Sequence, residues 1–203
     1  MDIKLAVIYY SATGTNYEMA KHAYQAAVDA GATVKILKAK ETAPAEAIAK
    51  NEAWQNHIEA TKEVSEVKLD DLEWADAILF SMPTRFGNLP SQVECFFDTT
   101  GGLWSEGKLA NKVVSGMTSA QNIHGGQETT LMSLYKTMIH WGAILAPPGY
   151  TDPAIFKSGG NPYGLSVVAG PENVTDAVIA SIRHQTNRII TVANWVKTGL
   201  INL

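Results

Sequence analysis

Short runs of consecutive apolar residues recur along the chain, separated by longer stretches with helical spacing. The first run is Leu5-Ala6-Val7-Ile8-Tyr9-Tyr10. It is continuous rather than alternating, the pattern of a strand covered on both faces. Residues 17–30 carry Met19, Ala20, Ala23, Ala27 and Val28 along one helical face, and Gly31 is placed to end that helix. Thr33–Leu37 reads as a second strand, Asp76–Met82 as a third, Lys112–Thr118 as a fourth and Ala143–Ala146 as a fifth. Helices are predicted over Pro90–Asp98, opened by a proline whose missing N–H costs little there, and over Gln127–Trp141. A closing helix over Glu172–Lys197 carries Val174, Val178, Ile182, Ile189, Val192 and Val196.

Two stretches break this rhythm. Residues 41–72 are alanine- and glutamate-rich with Pro44 and Trp54, and read as a partly helical surface excursion between strands two and three. Pro147 to Pro171 reads as a Gly- and Pro-rich loop. No linker, repeat or low-complexity tract divides the chain, so a single domain over 1–203 is expected. Repeated strand–helix alternation predicts an α/β fold: an open, doubly wound, five-stranded parallel sheet with helices on both faces. Ligands of such sheets bind beyond the carboxyl ends of the strands, near the point where strand order reverses. The loops after strands one, three and four are therefore the places to look for chemistry.

Composition narrows the possibilities. The chain has 203 residues, 46% hydrophobic and 18% charged, with a net charge of -4. That balance, with no basic run longer than two residues, argues against nucleic acid as a partner. No apolar stretch approaches the roughly 20 residues of a membrane helix. The start, Met1-Asp2-Ile3-Lys4, lacks the form of a signal peptide, and the single cysteine, Cys95, excludes an internal disulfide. A cytoplasmic protein is expected. Cys95 lies in Val93-Glu94-Cys95-Phe96-Phe97 and is expected to be a buried, inert thiol on the apolar side of its helix. No metal centre is expected.

The loop after strand one is Ser11-Ala12-Thr13-Gly14-Thr15-Asn16. Hydroxyls, an amide and a glycine at a helix N-terminus suit a phosphate monoester; a plain turn with a Ser or Thr cap fits as well. The loop lacks the lysine of nucleotide triphosphatases and the GxGxxG of dinucleotide folds. After strand three, Pro83-Thr84-Arg85-Phe86-Gly87-Asn88-Leu89-Pro90 suits a flat ring with polar edges, or is a rigid loop held by two prolines. After strand four, Ser119-Ala120-Gln121-Asn122-Ile123-His124-Gly125-Gly126 allows close backbone approach to a ligand. His124 is a candidate proton carrier or a solvated loop residue, and His140, at a helix end, reads either as structural or as pointing at the same cleft. Trp104, after Gly101-Gly102, lines a pocket for planar substrates or simply packs.

These loops, with Tyr9-Tyr10-Ser11, Thr100-Gly101-Gly102-Leu103-Trp104, Gly125-Gly126-Gln127-Glu128-Thr129, Pro148-Gly149-Tyr150 and Gly160-Asn161-Pro162-Tyr163-Gly164, resemble the flavodoxin-like NAD(P)H:quinone oxidoreductases of the WrbA type. The resemblance spans nearly the whole chain except residues 41–72 and the final helix. It implies FMN held noncovalently, with residues 11–16 (Ser11, Ala12, Thr13, Gly14, Thr15 and Asn16) around the phosphate. Pro83, Thr84, Arg85, Phe86 and Gly87 would flank the isoalloxazine, and Ser119, Ala120, Gln121, Asn122, His124 and Gly125 would cover its other polar edge. It implies His140 as the active-site histidine, also beside the cofactor, with Trp104 at the substrate entrance. Relatives often carry Tyr where this chain has Thr13, a position tied to the nicotinamide side. The implied assembly is a homotetramer whose active site gathers loops from neighbouring subunits.

The expected reaction is ping-pong. NADH or NADPH reduces FMN and leaves; a quinone then takes the same place and receives two electrons. Arg85 would stabilise the anionic ring, and His140 or His124 would protonate the quinol oxygen. Two other readings stand beside it: a one-electron flavodoxin-type carrier, for which more acidity than -4 is expected, and a noncatalytic FMN-binding regulatory protein.

Overall fold

The computed structural model describes residues 2–201. Strand β1 (Lys4–Tyr9) leads into helix α1 (Thr15–Asp29) and strand β2 (Thr33–Lys38). The excursion that follows holds three short helices, α2 (Ala45–Ala49), α3 (Glu52–Ala60) and α4 (Leu69–Trp74). Next come β3 (Ala77–Pro83), α5 (Ser91–Asp98), α6 (Gly101–Ser105), β4 (Val113–Ala120), α7 (Gln127–His140) and β5 (Ile144–Leu145). The chain closes with α8 (Pro153–Lys157), β6 (Ser166–Val168), a 3-10 turn at Pro171–Asn173 and the long α9 (Asp176–Ile201).

The sheet is parallel, in the order β2-β1-β3-β4-β5. From β1 the chain steps outward to β2, then returns to build β3, β4 and β5 on the other side. The reversal therefore lies between β1 and β3, and the loops after these strands flank it. Alternate residues of each strand feed two cores, which explains the unbroken apolar runs. Leu5, Val7 and Leu79 pack under α1 and α9 with Met19, Ala23, Ile182 and Ile189. Ala6, Ile8, Ile78 and Phe80 pack under α5 and α7 with Val93, Phe97, Leu131 and Leu134.

The segment after β5 differs from the featureless loop expected. β5 pairs with Val113 and Val114, whereas β6 pairs with Thr118 to Ala120. Because β3 occupies the other side of β4, β5 and β6 lie in line along one edge, as a single strand position interrupted by residues 146–165. The buried side chain of Gln185 fills the interruption. Its Nε2 donates to Ser115 Oγ (2.8 Å) and Gly116 O (2.7 Å), and its Oε1 accepts from Leu165 N (3.0 Å). A side-chain amide thus stands where a neighbouring backbone would complete the ladder.

Other expectations need correcting. Cys95 is exposed: α5 turns Gln92, Val93 and Phe97 inward, and residue 95 falls on the opposite side of the helix. Val28 is exposed because the buried stripe of α1 ends at Ala26 and Ala27, a position short of it. Val174 precedes α9, after the 3-10 turn, instead of lying within it.

Candidate active site

Beyond β1 the chain makes a tight loop whose geometry is set by Gly14. Its φ of +105° is a left-handed conformation that L side chains rarely adopt, and its N–H donates to Ser11 Oγ at 3.0 Å. The first α-helical hydrogen bond runs from Glu18 N to Gly14 O (2.9 Å). The amides of residues 15–17 therefore lie ahead of the helical ladder, at the positive end of a 15-residue helix. Such a cradle of unpaired N–H groups matches the acceptor oxygens of a phosphate.

Side chains of the loop divide into two groups. Thr13 is exposed, whereas Thr15 is buried, its Oγ1 accepting from Gly170 N (2.8 Å). Asn16 points into the sheet. It bonds Ser81 Oγ through Nδ2 (3.3 Å), and its Oδ1 accepts from Ser119 Oγ (2.7 Å). Both side chains are thus committed to protein partners, Thr15 to the segment after β6 and Asn16 to β3 and β4. Asn16 can meet a phosphate only through its amide.

The loop after β3 is a two-residue hairpin. Arg85 N donates to Asn88 O (2.8 Å) and Asn88 N to Arg85 O (2.9 Å), with Phe86 at φ 54° and Gly87 at φ 80°. Two successive positive φ values are the signature of a type I′ turn. Phe86 is fully exposed in that conformation, a cost of about 1 kcal/mol with no burial to offset it. Thr84 ties the hairpin down: its Oγ1 accepts from Gly87 N (3.1 Å) and Thr130 Oγ1 (2.7 Å), while its N donates to Ser119 O (2.8 Å). Arg85 is exposed, held through Nη1 to Thr84 O at 3.0 Å. In the loop after β4, Asn122 Oδ1 accepts from His124 N (2.9 Å) and Asn122 O from Gln127 Nε2 (2.7 Å), leaving Gln121, Asn122 and His124 exposed.

One anchor of this region was missed in the sequence. Glu41, just after β2, accepts from Tyr10 Oη (3.0 Å), Trp54 Nε1 (3.1 Å), Gln92 Nε2 (2.8 Å), Thr42 N (2.9 Å) and Ala43 N (2.8 Å). Burial pushes its carboxyl up, but the donors from Ala43, Gln92, Tyr10 and Trp54 outweigh it and hold the group below the ordinary range. Burial, and then the Glu41 charge, push the Tyr10 hydroxyl up, and Arg85 acts in the opposite direction. Glu41 thereby links the excursion, α5 and Tyr10 just beyond the end of β1. No local pattern marks a lone glutamate in an acidic stretch as such a hub.

His140 and Trp104 lie elsewhere. Trp104 Nε1 donates to His140 O at 2.8 Å, and both residues are exposed. His140 ends α7, about 20 Å along that helix from Gln127, and the turn beyond it meets the start of β4, with Asn111 N donating to Gly142 O. Within one chain this pair therefore sits at the opposite end of the sheet from residues 11–16, and the shared cleft expected for His140 is not formed. A cleft of about 640 Å³ also avoids the phosphate loop; it is lined by His124, Gln127 and Glu128 together with Lys157, Asn161 and Ser166. Among the described residues no cluster of three or more His, Cys, Asp or Glu side chains could hold a metal ion, and no helix is long and apolar enough to cross a membrane.

Comparison with known proteins bears directly on this geometry. A family described as NADPH-dependent FMN reductase matches residues 3–152. A Deinococcus radiodurans protein named NAD(P)H dehydrogenase (quinone) is 59% identical over 186 residues, covering 92% of this chain and 93% of that one. The chain belongs to the NAD(P)H dehydrogenase (quinone) family. A Caulobacter vibrioides member with the same name is 37% identical over 197 residues, covering 94% and 96% of the two chains. In fold, the chain resembles a WrbA-like flavodoxin from Agrobacterium tumefaciens, with a TM-score of 0.65, 22% identity and coverage of 96% and 99%. Family membership bears out the resemblance carried by the PTRFGN and GGQE strings, and the flavodoxin-like sheet agrees with it.

Proposed function

We propose that this chain is an FMN-dependent NAD(P)H:quinone oxidoreductase that reduces quinones to quinols by two electrons. The observation that carries the proposal is the meeting, at the β1/β3 reversal, of the open N-terminus of α1 with the braced loops after β3 and β4. The first is built for a phosphate; the others form two polar walls that a flat ring can enter. The residues present fit FMN: Gly14 shapes a cradle of free amides, and the hairpin presents Arg85 and Phe86 to solvent beside it.

In this reading the amides of residues 12, 13, 15 and 16, with the Ser11 and Thr13 hydroxyls, hold the phosphate. Pro83, Thr84, Arg85, Phe86 and Gly87 flank the ring on one side. Ser119, Ala120, Gln121, Asn122, His124 and Gly125 flank it on the other, mainly through backbone. FMN, when bound, supplies the acceptance and donation of a hydride. Arg85 places a permanent positive charge where negative charge accumulates on the ring, and the braced hairpin keeps it there without reorganisation. NAD(P)H and quinone use the same exposed face in turn, which Phe86 and Thr13 border.

Trp104 and His140 enter this scheme from a neighbouring copy in a homotetramer, since in their own chain they face away. There Trp104 closes the entrance over a planar substrate, and His140 delivers a proton to the quinol oxygen. Residues 1–203 act as one domain, and the proposed compartment is the cytoplasm, in keeping with the single cysteine.

Steady-state oxidation of NADH and NADPH with benzoquinone, with and without added FMN, tests the proposal. FMN-dependent turnover is expected. A protein that stays colourless after soaking in FMN and shows no turnover would contradict it and favour a regulatory role.

A further inference from the structure

We infer that His57 is a phosphate-reading residue of the FMN site, carried over the loop of residues 11–16 by the helical excursion between β2 and β3. The inference rests on the FMN reading above and gives a role to a segment which that reading leaves unused.

Helix α3 is held at both ends. Asn51 caps its start, accepting from Trp54 N (3.1 Å), and Trp54 is itself tied to Glu41. At its other end Thr61 returns both its N (3.1 Å) and its Oγ1 (2.8 Å) to His57 O, and Lys38 Nζ donates to Thr61 O (2.7 Å). His57 is the one α3 residue that is buried, at 9% exposure. Its ring packs against Tyr17 in the first turn of α1, with centroids 5.6 Å apart. Its Nδ1 lies 3.8 Å from the point where a β-carbon on Gly14 would stand, and Pro171 Cγ closes on the same point at 3.3 Å. The phosphate loop is thus roofed from two sides, and a small cavity of about 150 Å³ beside it is lined by Ser11 and His57 together.

Neither ring nitrogen of His57 hydrogen-bonds to a described protein atom. A largely buried imidazole that has no described protein partner and lines a cavity is free to meet a ligand there. The charged and titratable groups around the imidazole are Lys38 from β2, Glu41 and Glu66 across the cavity, Tyr9 from β1 and Tyr10 just beyond it, and Tyr17 from α1 with Lys21 over its ring. Burial, and then the charge of Lys38, hold the imidazole below its ordinary range. The group that would satisfy such a ring, between a lysine and a set of free amides, is an anion rich in acceptor oxygens. A phosphate in the adjoining cradle has that chemistry; the sugar-alcohol end of riboflavin does not.

The test is ligand discrimination, read by quenching of flavin fluorescence with FMN and with riboflavin. Wild type is expected to bind FMN at least about tenfold more tightly than riboflavin. His57→Ala should lose about tenfold in FMN affinity, the effect of one hydrogen bond to a charged group, with riboflavin affinity unchanged. His57→Gln, which keeps an N–H donor, should recover most of the loss. An equal loss for both ligands, or an unchanged FMN-to-riboflavin ratio in His57→Ala, would overturn the inference while leaving the FMN reading intact. Failure of the wild type to bind FMN at all would overturn both.

Discussion

Gly87 and Gly126 meet backbone to backbone: a β-carbon on Gly126 would stand 2.7 Å from Gly87 Cα. A β-carbon on Gly87 would in turn stand 2.8 Å from Thr129 Oγ1. Both glycines have positive φ, so neither position tolerates a side chain on steric or on conformational grounds. Their contact holds the hairpin after β3 against the start of α7 and sets the spacing of the two walls offered to the ring. Gly126→Ala should therefore destabilise the fold by about 1–3 kcal/mol and weaken FMN binding. Thermal melts with and without FMN check this; a variant with wild-type affinity would show that wall spacing is irrelevant to the site.

Phe86 couples strain to exposure. Replacing it with Asn, which adopts positive φ more readily, removes a cost of about 1 kcal/mol without losing any buried surface. The expected result is a melting temperature raised by roughly 2–4 °C, together with a higher KM for quinone because an aromatic border of the entrance is gone. A stability gain without any change in KM would separate Phe86 from the substrate.

Glu41 predicts a pH dependence. Its folded-state pKa lies below the ordinary carboxyl value of 4.5, so the stability it contributes is present above that value and is lost as pH falls through the folded pKa. Glu41→Gln should be less stable than wild type at pH 7, by about 1–3 kcal/mol for the donors left poorly matched. The gap should begin to narrow below about pH 4.5, where the unfolded carboxyl takes up its proton, and close as pH falls through the lower folded pKa. Denaturant titrations of both proteins at pH 7 and pH 4 read this directly.

Gln185 predicts a purely structural effect. Gln185→Leu leaves Gly116 O and Leu165 N buried without their partner, which costs about 1–3 kcal/mol for each orphaned group. A fall in melting temperature of several degrees is expected, with FMN affinity retained, because the break lies on the β4 edge away from residues 11–16.

Much of this fold is legible in the sequence because a sheet covered on both faces demands largely apolar strands, which β1 and most of β3 supply. β6 is not legible. Ser166-Val167-Val168 is too short to show any periodicity, and its place beside β4 depends on Gln185, twenty residues after Leu165. The exposure of Cys95 is not legible because α5 is only eight residues long and mixes polar with apolar positions, so its buried face, with Gln92, Val93 and Phe97, is fixed by packing. The phosphate loop and the Arg85 loop announce themselves through glycine, proline and hydroxyl residues fixed by turn geometry. Glu41 and His57 do not, since their importance comes from long-range contacts with β1, α1 and α5. His140 and Trp104 are recognisable as a pair, but a sequence carries no sign that a helix end lies a strand's length from the loop it is expected to serve.

The most direct test of the central claim is anaerobic stopped-flow mixing of the FMN-loaded protein with NADH or NADPH, followed by benzoquinone. Rapid bleaching of the flavin absorbance by the nicotinamide alone, and its full recovery on adding quinone, is the result expected of a two-electron NAD(P)H:quinone oxidoreductase. Negligible bleaching by either nicotinamide would contradict the account and leave a one-electron carrier in its place.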